Sequence, residues 1–465
     1  MKILFPKNKN IKASSFYLFG NLFNKAIAFL TIPIFTRLLT TSEYGIVSTY
    51  ISYVTIVGTF VTLSLGSSIR TAFVDFKSDL NSYISSIMFL SILNFCITSI
   101  VVIVIKYFFA PQVDVMLTVF CLIQAFMSCV IDSISIKYMM EFKYLKRTFL
   151  LAVPNMLVVI FSIIFILFMD SNKQNGRIYA YVLVYSIFGI YYIASIFING
   201  NKFVFVNYWK YALGFSLPLI FHGVSVVILA QFDRAMITAM KDASETGVYS
   251  VVYNFSMIPL AITTALESVW IPWFTDKMKS NDKKSINKNA KTYIELVTIM
   301  VICIMLIAPE VLTIMAPKEY WSGKILIPPI VLASYFMFLY SISVDLEYYY
   351  KSTKIIAINT LIAATINIIL NYIFIPYYGA LAAAFATVIA YAVSYVIHYL
   401  AARRLDNQLF PFITYIKSIS IMGGTVLISY ISMDNWIVRW IIAILGFTLY
   451  VLIAYRKHKF SILLK

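Results

Sequence analysis

Long runs of apolar residues, separated by short charged or Pro- and Gly-containing breaks, dominate the chain. A bilayer core requires about 20 mostly apolar residues per helix, so these runs predict about fourteen transmembrane helices. The runs lack the alternation of apolar and polar residues that is typical of a membrane β-barrel. We therefore predict an all-α polytopic membrane protein. Its helices lie near residues 13–39, 44–66, 82–105, 113–136, 148–169, 177–198, 211–239, 247–271, 292–315, 325–346, 355–375, 379–400, 412–431 and 436–455.

The composition excludes whole classes of protein. Of the 465 residues, 61% are hydrophobic and 12% are charged, whereas soluble domains are roughly 45–50% apolar and about 25% charged. Soluble enzymes, nucleic-acid-binding modules and disordered proteins are therefore excluded. We interpret the net charge of +17 as a sign of membrane topology, not of a nucleic-acid partner. The cysteines all fall in apolar runs without disulfide or zinc-ligand spacing, which predicts free thiols and no metal site: Cys96, Cys121, Cys129 and Cys303.

The positive charges give the predicted topology. An even number of helices places both termini on one side, and we expect that side to be the cytoplasm. In this topology 26 of the 37 Lys and Arg residues lie in cytoplasmic segments and 8 lie in outside ends and loops, as the positive-inside rule requires. The remaining three, Lys25, Arg234 and Lys417, fall within helices. Every predicted outside loop is short, and no soluble domain is attached.

A weak internal repeat divides the chain. Ser42-Glu43-Tyr44-Gly45 matches Ser244-Glu245-Thr246-Gly247 at an offset of 202 residues, in both cases just before an apolar helix. The pair Lys143 and Lys146 recurs as Lys351 and Lys354. Since six helices separate the copies, the halves share one orientation. The repeat predicts a six-helix lobe over residues 1–206, a second lobe over 207–405, and two additional helices over 406–465.

Short motifs in the first two helices resemble a known family. They are Gly20-Asn21-Leu22-Phe23-Asn24-Lys25, Pro33-Ile34-Phe35-Thr36-Arg37-Leu38-Leu39, Ser42-Glu43-Tyr44-Gly45 and Leu65-Gly66-Ser67-Ser68-Ile69-Arg70. With them the chain resembles the polysaccharide-transport branch of the multidrug/oligosaccharidyl-lipid/polysaccharide exporter superfamily, and specifically the Wzx-type O-antigen flippases.

The resemblance implies a function in a bacterial inner membrane. Such flippases turn an undecaprenyl-diphosphate-linked sugar repeat unit from the cytoplasmic to the periplasmic leaflet, by alternating access between two lobes. It also implies membrane lipids, a polysaccharide polymerase and chain-length machinery as partners. No cofactor is expected. Coupling to a proton or sodium gradient is left undecided, because the sequence shows no clear carboxylate deep in a predicted helix.

Lys25 is the foremost candidate for binding the diphosphate. It lies about twelve residues into the first predicted helix, or roughly 18 Å at 1.5 Å per residue, near the membrane midplane. A Lys at that depth costs about 2.5–3.5 kcal/mol on insertion scales, so it is expected to face a cavity or a partner. Asn21 lies on the same helix face and Asn24 flanks it. A structural contact between helices is the alternative for Lys25.

Other polar residues of the helices are further candidates. Arg37, Arg70, Arg234 and His222 are expected to bind substrate, although boundary snorkelling would equally explain the first two and a structural hydrogen bond would explain His222. Candidates for ion coupling are Asp233 and Glu267. Three carboxylates near cytoplasmic helix ends are interpreted as interfacial: Asp132, Asp345 and Glu347. His398 is interpreted as a helix-end residue and His458 as a residue of the tail.

Several other functions are weighed against this one. A glycan polymerase or ligase would carry a large periplasmic catalytic loop, and a membrane acyltransferase would need a His-centred site, so an enzyme is not expected. A channel would show a pore loop or repeated charge ring. A multidrug cation exporter of the same superfamily would favour anionic cavity residues, whereas the mid-membrane charge of this chain is cationic and predicts a cationic cavity. A lipid II flippase shares the architecture and stays open, because its substrate is also a lipid diphosphate.

Overall fold

The computed structural model describes residues 27–109 and 114–456, apart from the side chains at 109, 218, 219, 221 and 222. All regular secondary structure in this part of the chain is helical, which confirms the all-α prediction. The α-helices are α1 Ile32–Leu38, α2 Thr41–Val61, α3 Ile69–Asp75, α4 Leu80–Phe109, α5 Val115–Met140, α6 Tyr144–Leu167, α7 Lys173–Asn199, α8 Val206–Met240, α9 Ala243–Tyr253, α10 Met257–Lys279, α11 Lys283–Met315, α12 Ile327–Tyr349, α13 Thr353–Leu405, α14 Ile413–Ile431 and α15 Trp436–Arg456. Short 3-10 helices cover Leu65–Ser68, Lys77–Asp79, Asn254–Ser256 and Lys318–Leu326.

The predicted spans agree with these helices. Eleven helical segments among the described residues are long and apolar enough to cross a membrane. Every predicted span from the second to the fourteenth coincides with a helix. The first coincides with α1 only at its end, and most of it lies outside the described residues, so the total of fourteen stays a prediction. The eighth is divided between α9 and α10 by the 3-10 turn Asn254–Ser256.

Acidic residues define several helix starts. The side chain of Asp114 accepts a hydrogen bond from Met116 N at 2.8 Å at the start of α5. Asp242 does the same for α9, and Asp282 accepts from Ser285 N at 3.1 Å at the start of α11. Each carboxylate satisfies a backbone donor that has no partner inside its helix. The hydrogen bonds from Ser285 hold the pKa of Asp282 below its usual value.

The predicted eleventh and twelfth spans form one long element, α13, with a break at Gly379. Its backbone there has φ 56° and ψ −136°, a conformation that glycine adopts without a steric penalty. A buried amide joins the two halves: Asn367 Nδ2 donates to Thr387 Oγ1 at 3.4 Å across the break. Within the first half, Asn371 Nδ2 donates to Asn367 Oδ1 at 3.2 Å. The two halves thus form an antiparallel helical pair with a polar seam.

The chain packs as two compact units. Among the described residues, the first contains residues 27–31 and Ile46–Ala235, and the second contains Ile32–Gly45 and residues 236–456. These units are groupings by packing, whereas the predicted lobes over 1–206 and 207–405 follow from a sequence repeat. The lobe boundaries therefore stay a prediction.

An aromatic cluster closes one end of the first unit. Tyr83 contacts Phe76, Tyr208 and Tyr211, with ring centroids 5.3 to 6.0 Å apart. Beside them Lys202 Nζ lies 2.6 Å from Asp79 Oδ2, and this ion pair raises the pKa of Lys202. These contacts fix α4 against the start of α8.

The second unit holds a buried arginine that the topology had placed in an outside loop or helix end. The side chain of Arg439, in α15, is 1% exposed and forms an ion pair with Glu310 of α11. Its guanidinium also donates to the backbone carbonyls of Leu306, Ser432 and Met433. A buried guanidinium requires such partners because its five donors cannot be left unsatisfied. Arg439 therefore joins helices and is not a free loop charge.

Candidate functional site

A polar cavity of about 550 Å³ lies within the first unit. This volume falls in the range of small-molecule sites, about 300–1,000 Å³. Its walls come from α2, the turn that follows it, α5, α6 and α7. Most of its polar lining consists of hydroxyl and amide side chains: Thr55, Thr59, Thr62, Ser64, Ser67, Gln124, Ser128, Ser133, Asn155, Tyr181 and Tyr185.

Asp132 supplies the charge in this cavity. It lies on α5 in the interior of the unit. Its side chain is exposed because it lines the cavity. None of the described lining residues is Lys, Arg or His. About two helical turns before Asp132, Gln124 is 4% exposed and its Oε1 has no hydrogen-bond partner among the described residues. The cavity thus offers a carboxylate to a ligand with hydrogen-bond donors, beside a buried amide oxygen that has no partner among the described residues.

The opposite wall carries amide and phenol groups. Tyr185 OH donates to Asn155 Oδ1 at 3.3 Å, and Asn155 Nδ2 donates to the carbonyl of Leu151. These bonds fix the orientation of Asn155. Tyr181 lines the same wall with its aromatic ring.

Close helix packing shapes the cavity. Cys129 Sγ of α5 donates to the carbonyl of Gly58 in α2 at 3.4 Å. A Cβ on Gly66 would overlap Ser133 Oγ, so glycine lets the turn after α2 approach α5 without moving the Ser133 side chain. Between the end of α2 and the 3-10 helix, Leu63 and Ser64 both have positive φ, 49° and 51°. Two non-glycine residues in that region mark a strained segment at the cavity.

Arg234 and Asp233 lie on α8 in the same unit. They are 8% and 1% exposed. Arg234 Nη1 donates to Gln231 Oε1 at 3.0 Å and to the carbonyl of Ala230. Ser52 of α2 donates to the same Gln231 oxygen at 3.2 Å. The structure thus places both predicted residues in the interior, with Arg234 in a network that joins α8 to α2.

The other predicted cations are placed differently. Arg37 is exposed and donates to the carbonyls of Ile314 and Met315 at 3.1 and 3.2 Å. It therefore caps the carboxyl end of α11, where a positive charge is favourable. Arg70 is exposed at the start of α3.

Four candidates cannot be assigned contacts. Lys25, Asn21 and Asn24 lie outside the described residues, and the side chain of His222 in α8 is also outside them. Their predicted roles stay predictions.

Glu267 lies in a group of polar residues in the second unit. It interacts electrostatically with Asp345 of α12 and with Tyr293 of α11. Trp270 Nε1 donates to Asp345 Oδ2 at 3.0 Å. The structure therefore brings a predicted coupling residue next to a carboxylate that the sequence had suggested to be interfacial.

The sequence did not predict a buried pair of ionisable residues in the second unit. His398, interpreted as a helix-end residue, is completely buried in α13, and its Nδ1 lies 3.0 Å from Glu347 Oε2 of α12. The two residues are 51 positions apart, so no short-range spacing could indicate the pair. The only local signal was the presence of an acid and a His near the ends of neighbouring apolar helices.

Comparisons with known proteins agree on family and fold. A protein of the Lsg locus of Haemophilus influenzae is 24% identical over 390 residues, covering 80% of this chain and 94% of the relative. The structure of lipid II flippase MurJ in an inward closed conformation has a TM-score of 0.71 at 16% identity, covering 96% of this chain and 99% of that one. An inward-facing multidrug resistance MATE family transporter of the MOP superfamily has a TM-score of 0.60 at 13% identity, covering 84% of this chain and 95% of that one.

The family match extends over more than half of the chain. Residues 11–278 match the model of the family described as polysaccharide biosynthesis protein. The fold is similar to those of the lipid II flippase and of the MATE family transporter. This multi-pass membrane protein belongs to the polysaccharide biosynthesis protein family.

Proposed function

We propose that this protein is a flippase that moves a lipid-linked oligosaccharide across the membrane. Its substrate would be an undecaprenyl-diphosphate-linked repeat unit of O-antigen or a related surface polysaccharide, moved from the cytoplasmic to the periplasmic leaflet of a bacterial inner membrane. The observation that carries the proposal is the family match, joined to a fold shared with a lipid II flippase along nearly the whole chain.

The cavity of the first unit supports this substrate kind. Each sugar hydroxyl moved into hydrocarbon without a partner costs several kcal/mol, so a flippase must replace the lost water. Hydroxyls, amides and the Asp132 carboxylate can do this by accepting and donating hydrogen bonds. Tyr181 and Tyr185 add aromatic rings, whose apolar faces suit the C–H faces of a sugar ring.

The diphosphate requires a different place. A cavity whose described lining has one carboxylate and no basic residue repels a diphosphate, because like charges repel. We assign the saccharide to this cavity and the diphosphate to cations elsewhere, with Lys25 and Arg234 as the foremost candidates. The lipid tail stays in the bilayer.

One observation favours a second candidate, a multidrug cation exporter. A lone carboxylate in an otherwise neutral cavity also suits an organic cation, and a MATE transporter shares the fold.

Gene deletion with two readouts separates the candidates. The flippase proposal predicts loss of surface polysaccharide and accumulation of undecaprenyl-linked repeat units, both reversed by the wild-type gene. Unchanged surface glycan with increased sensitivity to cationic drugs would instead support the exporter.

A further inference from the structure

Glu347 and His398 form a completely buried pair in the second unit. The His398 Nδ1 lies 3.1 and 3.0 Å from the two carboxylate oxygens of Glu347. The side chains of His398 and Glu347 are 1% and 0% exposed. The other ring nitrogen, Nε2, is buried and has no hydrogen-bond partner among the described residues. One nitrogen is therefore satisfied and the other is not.

The surroundings hold the imidazole in place. The Tyr340 ring stacks on it with centroids 5.4 Å apart and planes at 22°. Asn359 Nδ2, from the first half of α13, lies 3.5 Å from Nδ1. The ring therefore cannot turn freely to give Nε2 a partner.

The charged and titratable neighbours are mainly acidic or phenolic. Tyr348 interacts electrostatically with Glu347 and Asp345, and Glu267 of α10 interacts with Asp345 and Tyr340. Of the titratable residues of α14, Tyr415 contacts Tyr395 of α13, with ring centroids 5.5 Å apart, and Lys417 forms no ion pair among the described residues.

No basic residue neutralises the pair. Arg403, further along α13, donates to the carbonyls of Asn407 and Leu409. Within the described residues, Glu347 has an ion pair with His398 and with no lysine or arginine. Any balancing positive charge must therefore come from the imidazole itself.

The proton balance of the pair follows from this geometry. With Nδ1–H donating to the carboxylate and Nε2 unprotonated, the pair carries one negative charge. A proton from water that binds Nε2 gives an imidazolium and a carboxylate, with no net charge. The new N–H would be a buried donor without an acceptor in this conformation, which is unfavourable.

We propose that the Glu347–His398 pair is a proton-binding site that couples proton uptake to the packing of α12 against α13. A proton binds more tightly in any conformation that gives Nε2–H an acceptor, so protonation shifts the unit toward that conformation. If the protein is a flippase as proposed above, this site would make transport depend on a proton gradient; this consequence rests on the proposed function. The proton binding itself does not rest on that function.

Selective labelling of histidine tests the proton site directly. The sequence has three His residues, so the ¹⁵N spectrum of purified, ¹⁵N-His-labelled protein contains three imidazoles, and His398→Gln identifies one of them. The spectra are recorded from about pH 8 to about pH 5, the range in which imidazoles change charge, and we expect the His398 Nε2 signal to show proton uptake as the pH is lowered. An Nε2 signal that stays constant over this range would overturn the proposal.

Hydrogen exchange tests the coupling to packing. After correction for the intrinsic pH dependence of exchange, peptides of α12 and α13 should change at least threefold in exchange rate between the two pH values. Glu347→Gln and His398→Gln should each remove this change. The control is Tyr335→Phe, which removes another buried hydrogen bond of the unit, between the hydroxyls of Thr298 and Tyr335 at 2.9 Å. This variant should retain the pH-dependent change in exchange rate.

The readouts also separate this proposal from the proposed function. Neither requires a substrate, so both can succeed even when the protein flips no saccharide. If Glu347→Gln does not fold, the wild-type titration still decides. A pH response that persists in a folded Glu347→Gln protein would contradict the coupling.

Discussion

Gly45 and Gly247, which the internal repeat aligns, pack against each other's helices. A Cβ on Gly45 would overlap the carbonyl oxygen of Ala243 and lie 2.9 Å from Gly247 N. A Cβ on Gly247 would overlap the carbonyl oxygen of Thr41 and lie 3.2 Å from Gly45 N. Thr41 and Ser244 share a hydrogen bond of 2.6 Å between their hydroxyls. The two copies of the motif thus form one contact, at the starts of α2 and α9.

We predict that Gly45→Ala and Gly247→Ala each destabilise the protein. The obstructing atoms are backbone, which cannot rotate away, and overpacking of this kind costs typically 1–3 kcal/mol. The expected result is lower membrane abundance and a thermal midpoint reduced by several degrees in detergent. Gly424→Ala is the matched control, because a Cβ there meets nothing within 4 Å among the described atoms. Equal stability of Gly45→Ala and the control would show that this close contact is wrong.

Gly379 gives a second prediction, at the break in α13. Ala380 N, which starts the second half, donates to Glu245 Oε1 at 2.8 Å, and a Cβ on Gly379 would overlap the same carboxylate. Gly379→Ala combines this overlap with a backbone conformation that residues other than glycine rarely adopt, which alone costs roughly 1–3 kcal/mol. We expect a larger loss of thermal stability than for Gly446→Ala, whose Cβ would contact only Ile299 at 3.6 Å.

A double-mutant cycle isolates the overlap. Glu245→Ala alone should destabilise the protein by removing the acceptor of Ala380 N. In the Gly379→Ala background it should cost less, because it also relieves the overlap. Strictly additive losses would argue against the contact between Gly379 and Glu245.

The sequence predicted the helices well because their signal is local. Residues 82–105 and 436–455 are mostly apolar, and only 17% of the most apolar stretch of each corresponding helix is buried, as expected for helices that face lipid. The break between α9 and α10 was missed because Asn254–Ser256 contains no charged residue, proline or glycine to mark it.

The site was predicted less well because it depends on distant residues. Arg234 was singled out by its depth in an apolar run, and it is buried as that depth suggests. Asp132, Glu347 and His398 were interpreted as helix-end residues, since sequence position cannot show a cavity or a partner on another helix. Lys25 lies outside the described residues, so its predicted role stays a prediction.

Arg439 gives a third prediction, about stability. Removing one partner of a buried ion pair leaves the other without compensation, which costs about 3–5 kcal/mol. Arg439→Met should therefore lower abundance and thermal stability strongly, and Glu310→Gln should do so to a smaller extent, because Glu310 is 21% exposed. The double variant Arg439→Met/Glu310→Gln should be more stable than the sum of the single losses implies. A wild-type thermal midpoint for Arg439→Met would contradict this role.

Asp132 gives a fourth prediction, which separates the two candidate functions. If the cavity binds sugar hydroxyls, Asp132→Asn keeps an acceptor and should retain most polysaccharide export, whereas Asp132→Leu should lower it about tenfold, since a lost hydrogen bond to a charged group is worth about 1.5–3 kcal/mol. If the cavity binds an organic cation, the charge is essential, and both variants should abolish drug efflux equally. Surface glycan, drug sensitivity and membrane abundance are measured together.

The central claim, that this protein moves a lipid-linked saccharide between leaflets, is tested most directly in proteoliposomes. The purified protein is reconstituted with an undecaprenyl-diphosphate-linked oligosaccharide that carries a labelled sugar, and the fraction accessible to an external glycan-modifying enzyme is followed with time. We predict that the accessible fraction rises well above the fraction initially in the outer leaflet, and that Lys25→Ala slows this rise while Lys25→Arg retains part of the rate. An accessible fraction identical to that of protein-free liposomes, with properly folded protein in the membrane, would contradict the account.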